Sequence, residues 1–261
     1  MLISFKKKYI FMHSRKTAGS SITVLLNKDL GPRDIQIGAW PDALDAGGKY
    51  NDHAISIIKR NLNQIIKESI KHSLFKKKIA INHNSINKSI KKYAAQEYGL
   101  TNGAHSSAMQ VMFFAKEYWD SFFKFAFIRN PWDHAISDFY WKVKNRNIKN
   151  VDFKEFLFRL ADPHRLDKEK TRPSIITNWS IYTINEKVAL DFIGRYENLE
   201  KDLEKIENII GVKLDINSIW SKSNIRKKNK SIADYYDEES IELVRQIYKK
   251  EIEEFNYQIP F

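Results

Sequence analysis

Two strand-like segments of this chain each run into a polar turn and then a helix-like stretch. That repeated order constrains the fold more than any other feature. Phe122 to Ile128 is an almost unbroken apolar run, as expected of a strand covered on both faces of a parallel sheet. Asn130-Pro131-Trp132 follows and predicts a helix start, since proline is well tolerated at the first helical position. Nearer the N-terminus, Lys8 to His13 is β-prone and ends at the polar turn Ser14 to Gly19. An apolar-periodic stretch with Ile22, Val24, Leu25 and Leu26 comes next, so the order strand, loop, helix recurs. Val188 to Ile193 is a third candidate strand, followed by a helix over Glu197 to Ile210 that stops at Gly211. Further helices are expected over Ser106 to Trp119 and, at the C-terminal end, over Glu238 to Phe255. Strands alternating with helices predict a parallel α/β sheet in a single domain, residues 1–261.

The remaining segments are less regular. Gly31 to Gly48 holds Pro32, Gly38, Pro41 and Gly47 and reads as mostly loop. His53 to Tyr98 is helical in pattern but polar, which predicts peripheral helices and a basic helical insertion at about 50–100. Between Ile55 and Lys92 there are ten lysines and arginines against the single acid Glu68, so most of the net charge of +12 lies there. Such a charge asks for an anionic partner: nucleic acid, a membrane surface, an acidic glycan or a phosphorylated small molecule. The segment also reads as a plain solvated helical surface. Nucleic-acid binding fits lysines interleaved with stacking aromatics, yet Phe75 is the only aromatic in that stretch.

Composition excludes several chemistries. With no cysteine, disulfides, zinc–thiolate sites and cysteine nucleophiles are ruled out. Hydrophobic residues at 43% and aromatics at 13% suffice for a substantial core. No apolar run reaches the roughly 18 residues of a membrane span, and Met1 to Lys8 does not have the pattern of a secretory signal. A soluble, cytoplasmic protein is the expectation.

Two constellations carry chemistry. In the first, Ser14-Arg15-Lys16-Thr17-Ala18-Gly19-Ser20-Ser21 joins a strand to a helix, where free backbone N–H groups form a natural anion cradle. Lys16 adds positive charge, and Thr17, Ser20 and Ser21 add hydroxyls. The pattern is not a Walker loop, because Lys16 precedes the only glycine. By composition alone, a purely structural turn fits equally well. In the second, Arg129 leaves the C-terminal end of a buried strand, where ligands of open α/β sheets collect, and Ser137 lies two turns into the following helix. Arginine with serine suits a dianionic phosphate. Arg129 can equally be an arginine paired with a nearby acid such as Asp133.

Together these segments resemble the nucleotide-binding signatures of the sulfotransferases that use 3′-phosphoadenosine 5′-phosphosulfate (PAPS). The likeness is to the carbohydrate, Golgi-type branch, as in a soluble bacterial or viral member. Its loops read H-x-x-K-T-A-G-[TS]-S and F-x-x-[VI]-R-N-P-W-D-x-x-x-S, against His13 to Ser21 and Phe125 to Ser137 here. Asp191 to Leu199 and the tail from Tyr235 to Tyr257 look like further segments of that branch, whereas 38–100 and 142–180 match poorly. The resemblance implies a P-loop-like three-layer α/β fold with a central, mainly parallel sheet flanked by helices.

It further implies that the residues from Arg15 to Ser21 (Arg15, Lys16, Thr17, Ala18, Gly19, Ser20 and Ser21) hold the 5′-phosphosulfate. Lys16 would neutralise the leaving oxygen. Arg129 and Ser137 would grip the 3′-phosphate, leaving adenosine 3′,5′-bisphosphate (PAP) as product. No metal is expected. The acceptor would be a hydroxyl or amine of a carbohydrate or lipid, recognised by the segments that match poorly. Related sequences place a histidine considered catalytic where His105 stands, and an imidazole suits general-base work. His105 can also be a hydrogen-bond partner at a helix start. His13 matches the pattern too, in a position suited to orienting the loop, and His53 and His83 read as surface residues. Two positions depart from the pattern. Ser14-Arg15 replaces isoleucine-proline, and His134 stands where arginine is common. A late basic loop, Ser223 to Ser231 with Arg226, Lys227 and Lys228, is a candidate cover for the adenosine. Outside this family the alternatives are a nucleotide kinase-like phosphoryl transferase, which needs a Walker lysine and an acidic metal site, and a basic nucleic-acid-binding protein. A sulfotransferase-like protein that binds nucleotide without turnover is a third.

Overall fold

A computed structural model describes residues 1–67, 69, 83–216 and 231–261. The middle of the basic run (Lys71, Phe75 and Lys76 to Lys78) and the late basic loop through Lys230 lie outside the described residues. The chain clusters into two compact units, Met1–Phe127 with Ser180–Ile219, and Ile128–Trp179 with Trp220–Phe261.

The first unit is built on a five-stranded sheet. β1 (Leu2–Ser4) and β2 (Tyr9–Met12) form an antiparallel hairpin with Ile3 opposite Ile10. The Asp34 carboxylate locks its turn, accepting from the Ser4 hydroxyl at 2.7 Å and from the amides of Phe5, Lys6 and Gly31 at 2.8, 3.1 and 2.9 Å. β3 (Ile35–Gln36) lies on the other side of β1, also antiparallel. β4 (Phe123–Ile128) pairs in parallel with β2, with Phe11 opposite Phe125 and Met12 opposite Ala126. β7 (Phe192–Arg195) completes the order β3-β1-β2-β4-β7, and β5 (Thr183–Ile184) and β6 (Lys187–Val188) form a separate two-stranded ladder.

The expected mainly parallel sheet therefore holds for the pair β2 and β4, which carries both motifs, and not for the N-terminal edge. A four-residue connection can only return a strand antiparallel, and that is what joins β1 to β2. The third predicted strand is also split. Val188 ends β6, and β7 begins only at Phe192.

The near-continuous apolar character of β2 and β4 has the expected cause, because both are almost wholly buried. One face, with Tyr9, Phe11, Phe125 and Phe127, packs on Ile22, Leu25 and Leu26 of α1 (Gly19–Asn27) and on Leu199, Leu203 and Ile206 of α10 (Leu199–Ile210). β7 approaches β4 so closely that a Cβ on Gly194 would lie 2.5 Å from the Phe127 ring, which requires glycine there.

A second core lies in the segment read as peripheral. Trp40, from α2 (Trp40–Asp45), is buried among Ala54 and Ile57 of α3 (Asp52–Arg60), Ile65, and Ile86 and Ile90 of α4 (His83–Glu97). The helices are present as expected, but their isoleucines form a core with Trp40. Pro41 had suggested a loop at 31–48. It occupies the first turn of α2, where no intrahelical N–H is needed, so it starts a helix. Beyond α4, the helix expected over Ser106 to Trp119 is two short helices, α5 (Ala108–Phe114) and α6 (Lys116–Trp119). Ser107 and Gln110 close a capping box on α5.

The second unit is helical and aromatic. Phe139 of α7 (Pro131–Lys142) meets Phe153 and Phe156 of α8 (Phe153–Ala161). Buried Arg159 bonds Glu155, Asp167 and Glu169, each at 2.8 Å, and so ties the 162–172 loop to α8. The C-terminal helix breaks at Tyr248 into α11 (Glu238–Ile247) and α12 (Lys249–Phe255). The Trp179–Tyr182 turn, α9, precedes β5.

Candidate active site

The loop after β2 is shaped by its backbone. Lys16 and Ala18 both occupy the left-handed region, φ 60° and 62°, which costs a non-glycine residue energy and recurs where loops are built for ligands. The first backbone hydrogen bond of α1 runs from Ile22 N–H to Ala18 O, and no side chain caps the helix. The amides of Gly19, Ser20 and Ser21 thus open the helix without intrahelical partners, a donor set suited to an oxyanion. Thr17 serves the loop itself: it is buried, and its hydroxyl donates to Ser14 O at 3.1 Å. Arg15 is also buried, Lys16 and Ser21 are half-exposed, and Ser20 is exposed. Gly19 lies directly beneath the His13 ring, where any Cβ would collide with the imidazole.

His105 ends a short 3-10 turn, Gly103–His105, just before the Ser107 cap. Its Nδ1 is 2.8 Å from the His13 main-chain oxygen, and the two rings meet edge to face at 4.9 Å. A carbonyl only accepts, so Nδ1 carries the proton. Burial lowers the His105 pKa to about 4 despite that hydrogen bond, and the charges of Arg15 and Lys91 push the same way. The ring is therefore neutral at pH 7, and Nε2 holds a lone pair. Burial likewise keeps His13 neutral, with its pKa well below 6.5.

In the second unit, Asn130 caps α7 by accepting from Trp132 N–H at 3.1 Å, and its amide donates to Gln258 O at 2.9 Å. Arg129, just before the cap, donates from Nε to Asp133 Oδ2 at 2.6 Å, with its Nη2 also 2.6 Å away. The acid anticipated as a competing partner is thus engaged. Asp133 and Ser137 are four residues apart on α7 and so share one helix face, which places the ion pair and the hydroxyl in one row. His134 is buried against the Tyr248 ring at 5.3 Å and fills the interior of this unit. His53 is half-buried against Tyr98, and His83 is exposed.

β2 and β4 are parallel neighbours in register, so the loop after β2 leaves the C-terminal edge of their sheet, where open α/β folds place ligands. A model of the Sulfotransferase family matches residues 1–258. The chain belongs to the sulfotransferase family. An uncharacterized protein of Archaeoglobus fulgidus is 35% identical over 101 residues, 37% of this chain and 74% of that protein. No solved structure matches. Membership makes the protein a transferase of sulfuryl groups. Among the described residues no helix is long and apolar enough to cross a membrane.

Lys16 stands on the loop that opens the uncapped α1, and the His13 carbonyl sets the tautomer of His105. One residue escaped sequence reasoning. Lys91 of α4 reaches the turn that carries His105, and nothing in a lysine-rich helix marks one lysine from its neighbours.

Proposed function

We propose that this sulfotransferase takes its sulfuryl group from PAPS and passes it in line to a hydroxyl or amine of a carbohydrate or glycolipid. The observation that carries this reading is an uncapped α1 start preceded by Lys16, together with a histidine held as the Nδ1–H tautomer. The α1 amides and Lys16 would bind the 5′-phosphosulfate. As the acceptor oxygen attacks sulfur, the bond from sulfur to the bridging oxygen breaks, and Lys16 would stabilise charge on that oxygen. The acceptor proton would pass to His105 Nε2, leaving PAP and the sulfated acceptor. Positioning and electrostatics supply most of the rate, as in phosphoryl transfer. Arg129 and Ser137, on the motif that resembles the 3′-phosphate signature, would distinguish this donor from ATP, with Asp133 holding the guanidinium in place. One family match spanning both units supports reading the chain as a single catalytic domain.

Calorimetry without magnesium tests the donor assignment. PAP should bind tightly, with AMP and ATP far weaker. Equal binding of ATP, or no binding of PAP, would overturn it and return the basic segment to nucleic-acid tests.

A further inference from the structure

Lys91 lies in the segment that matches no family signature, yet the fold carries it to the catalytic turn. A Cβ on Gly103 would sit 3.5 Å from Lys91 Cγ, 3.6 Å from Cδ and 3.8 Å from Cβ, so the lysine stem runs along the turn that ends in His105. Farther out, a Cβ on Gly38 would meet Lys91 Cε at 3.4 Å. Both glycines have positive φ, +88° for Gly38 and +58° for Gly103, and their missing side chains leave the channel in which the stem lies. The ammonium is near enough to both imidazoles to oppose their protonation, adding to the larger effect of burial. No carboxylate among the described residues pairs with it. A cation whose stem is held along the turn of His105, with no carboxylate partner among the described residues, is a seat for an anion.

We propose that Lys91 reads the acceptor: it binds a carboxylate or sulfate carried close to the group that His105 deprotonates. This rests on the reading of His105 as the base. The donor's charge is already met by Lys16 and the α1 amides, which leaves Lys91 for the second substrate.

The test uses the full chain with isotope-labelled histidines, His105 being assigned among the seven by His105→Gln. D-Glucuronate and D-glucose are titrated into PAP-loaded and into nucleotide-free protein. Glucuronate should move the His105 ring resonances and glucose should not. Lys91→Met should weaken the glucuronate titration about tenfold or more, the scale of a lost charge-assisted contact, with PAP affinity unchanged, and Lys91→Arg should retain it. An equal response to glucose, no response to either sugar, or an unaltered titration in Lys91→Met overturns the proposal. So does a glucuronate response that disappears when PAPS replaces PAP, since the cation would then belong to the donor's sulfuryl group. Failure of PAP to bind would count against the donor assignment alone, because the nucleotide-free titration still reads Lys91.

Discussion

At Lys16 the backbone and the charge act together. Its left-handed conformation and that of Ala18 turn the chain sharply enough for α1 to begin with open amides. Truncating Lys16 leaves that backbone in place, so Lys16→Ala should cut sulfuryl transfer by about a thousandfold, the scale of losing one transition-state donor, while the thermal midpoint is retained. Near-normal turnover in a stopped assay would remove Lys16 from the mechanism. His105 makes a prediction in pH. Its folded pKa is about 4, so kcat/KM should stay level from pH 8 to pH 5 and fall only as pH approaches 4. A fall centred near 6.5 would mean that another group is the base. The anionic donor should raise the same pKa, so the limb in kcat should lie at higher pH than the limb in kcat/KM. Both residues were legible as motif positions in the sequence. Two facts were not: the Nδ1 bond that selects the tautomer, which spans residues 13 and 105, and the approach of Lys91.

At the scale of elements, β2, β4 and the start of α7 were legible, because burial on both faces leaves a continuous apolar run and Pro131 marks a first turn. β1 and β3 were not. Strands of three and two residues have no period of their own and are defined by their cross-strand partners. The C-terminal helix was legible by its apolar spacing, but its break at Tyr248 was not. The ion pair at the start of α7 bears on function. Arg129 is bound to Asp133 on the face that carries Ser137, so the acid can hold the guanidinium for a phosphate as readily as it can occupy it. Arg129→Ala should weaken PAP by about ten- to a hundredfold, the worth of a charged hydrogen bond, and leave AMP almost unchanged. Equal losses for the two nucleotides would make the pair structural.

At the scale of the whole molecule, acid should act in two separate windows, one for each unit. Burial lowers the folded pKa of His105 to about 4 and that of His13 well below 6.5, whereas both take up protons near 6.5 once unfolded. Between those values the unfolded chain binds more protons, so stability falls as pH drops from about 6.5 toward 4. Carboxylates in the second unit act in the same direction but at lower pH. Glu155 is lowered to about 2 by its bonds from Arg165 and Arg159. Asp167 reaches about 2 against the effect of burial, through N–H groups of Arg172 and Thr171 and the Arg159 guanidinium. Their stabilisation is present above about pH 4 and is lost as pH falls toward 2. Urea unfolding at pH 7, 5 and 3 checks the order. Wild type should lose stability already between pH 7 and 5, and His105→Gln should lose less over that interval because it removes one of the imidazoles that burial keeps neutral. An identical loss in wild type and variant would show that His105 is not held neutral in the folded protein, and the base assignment would fall with it.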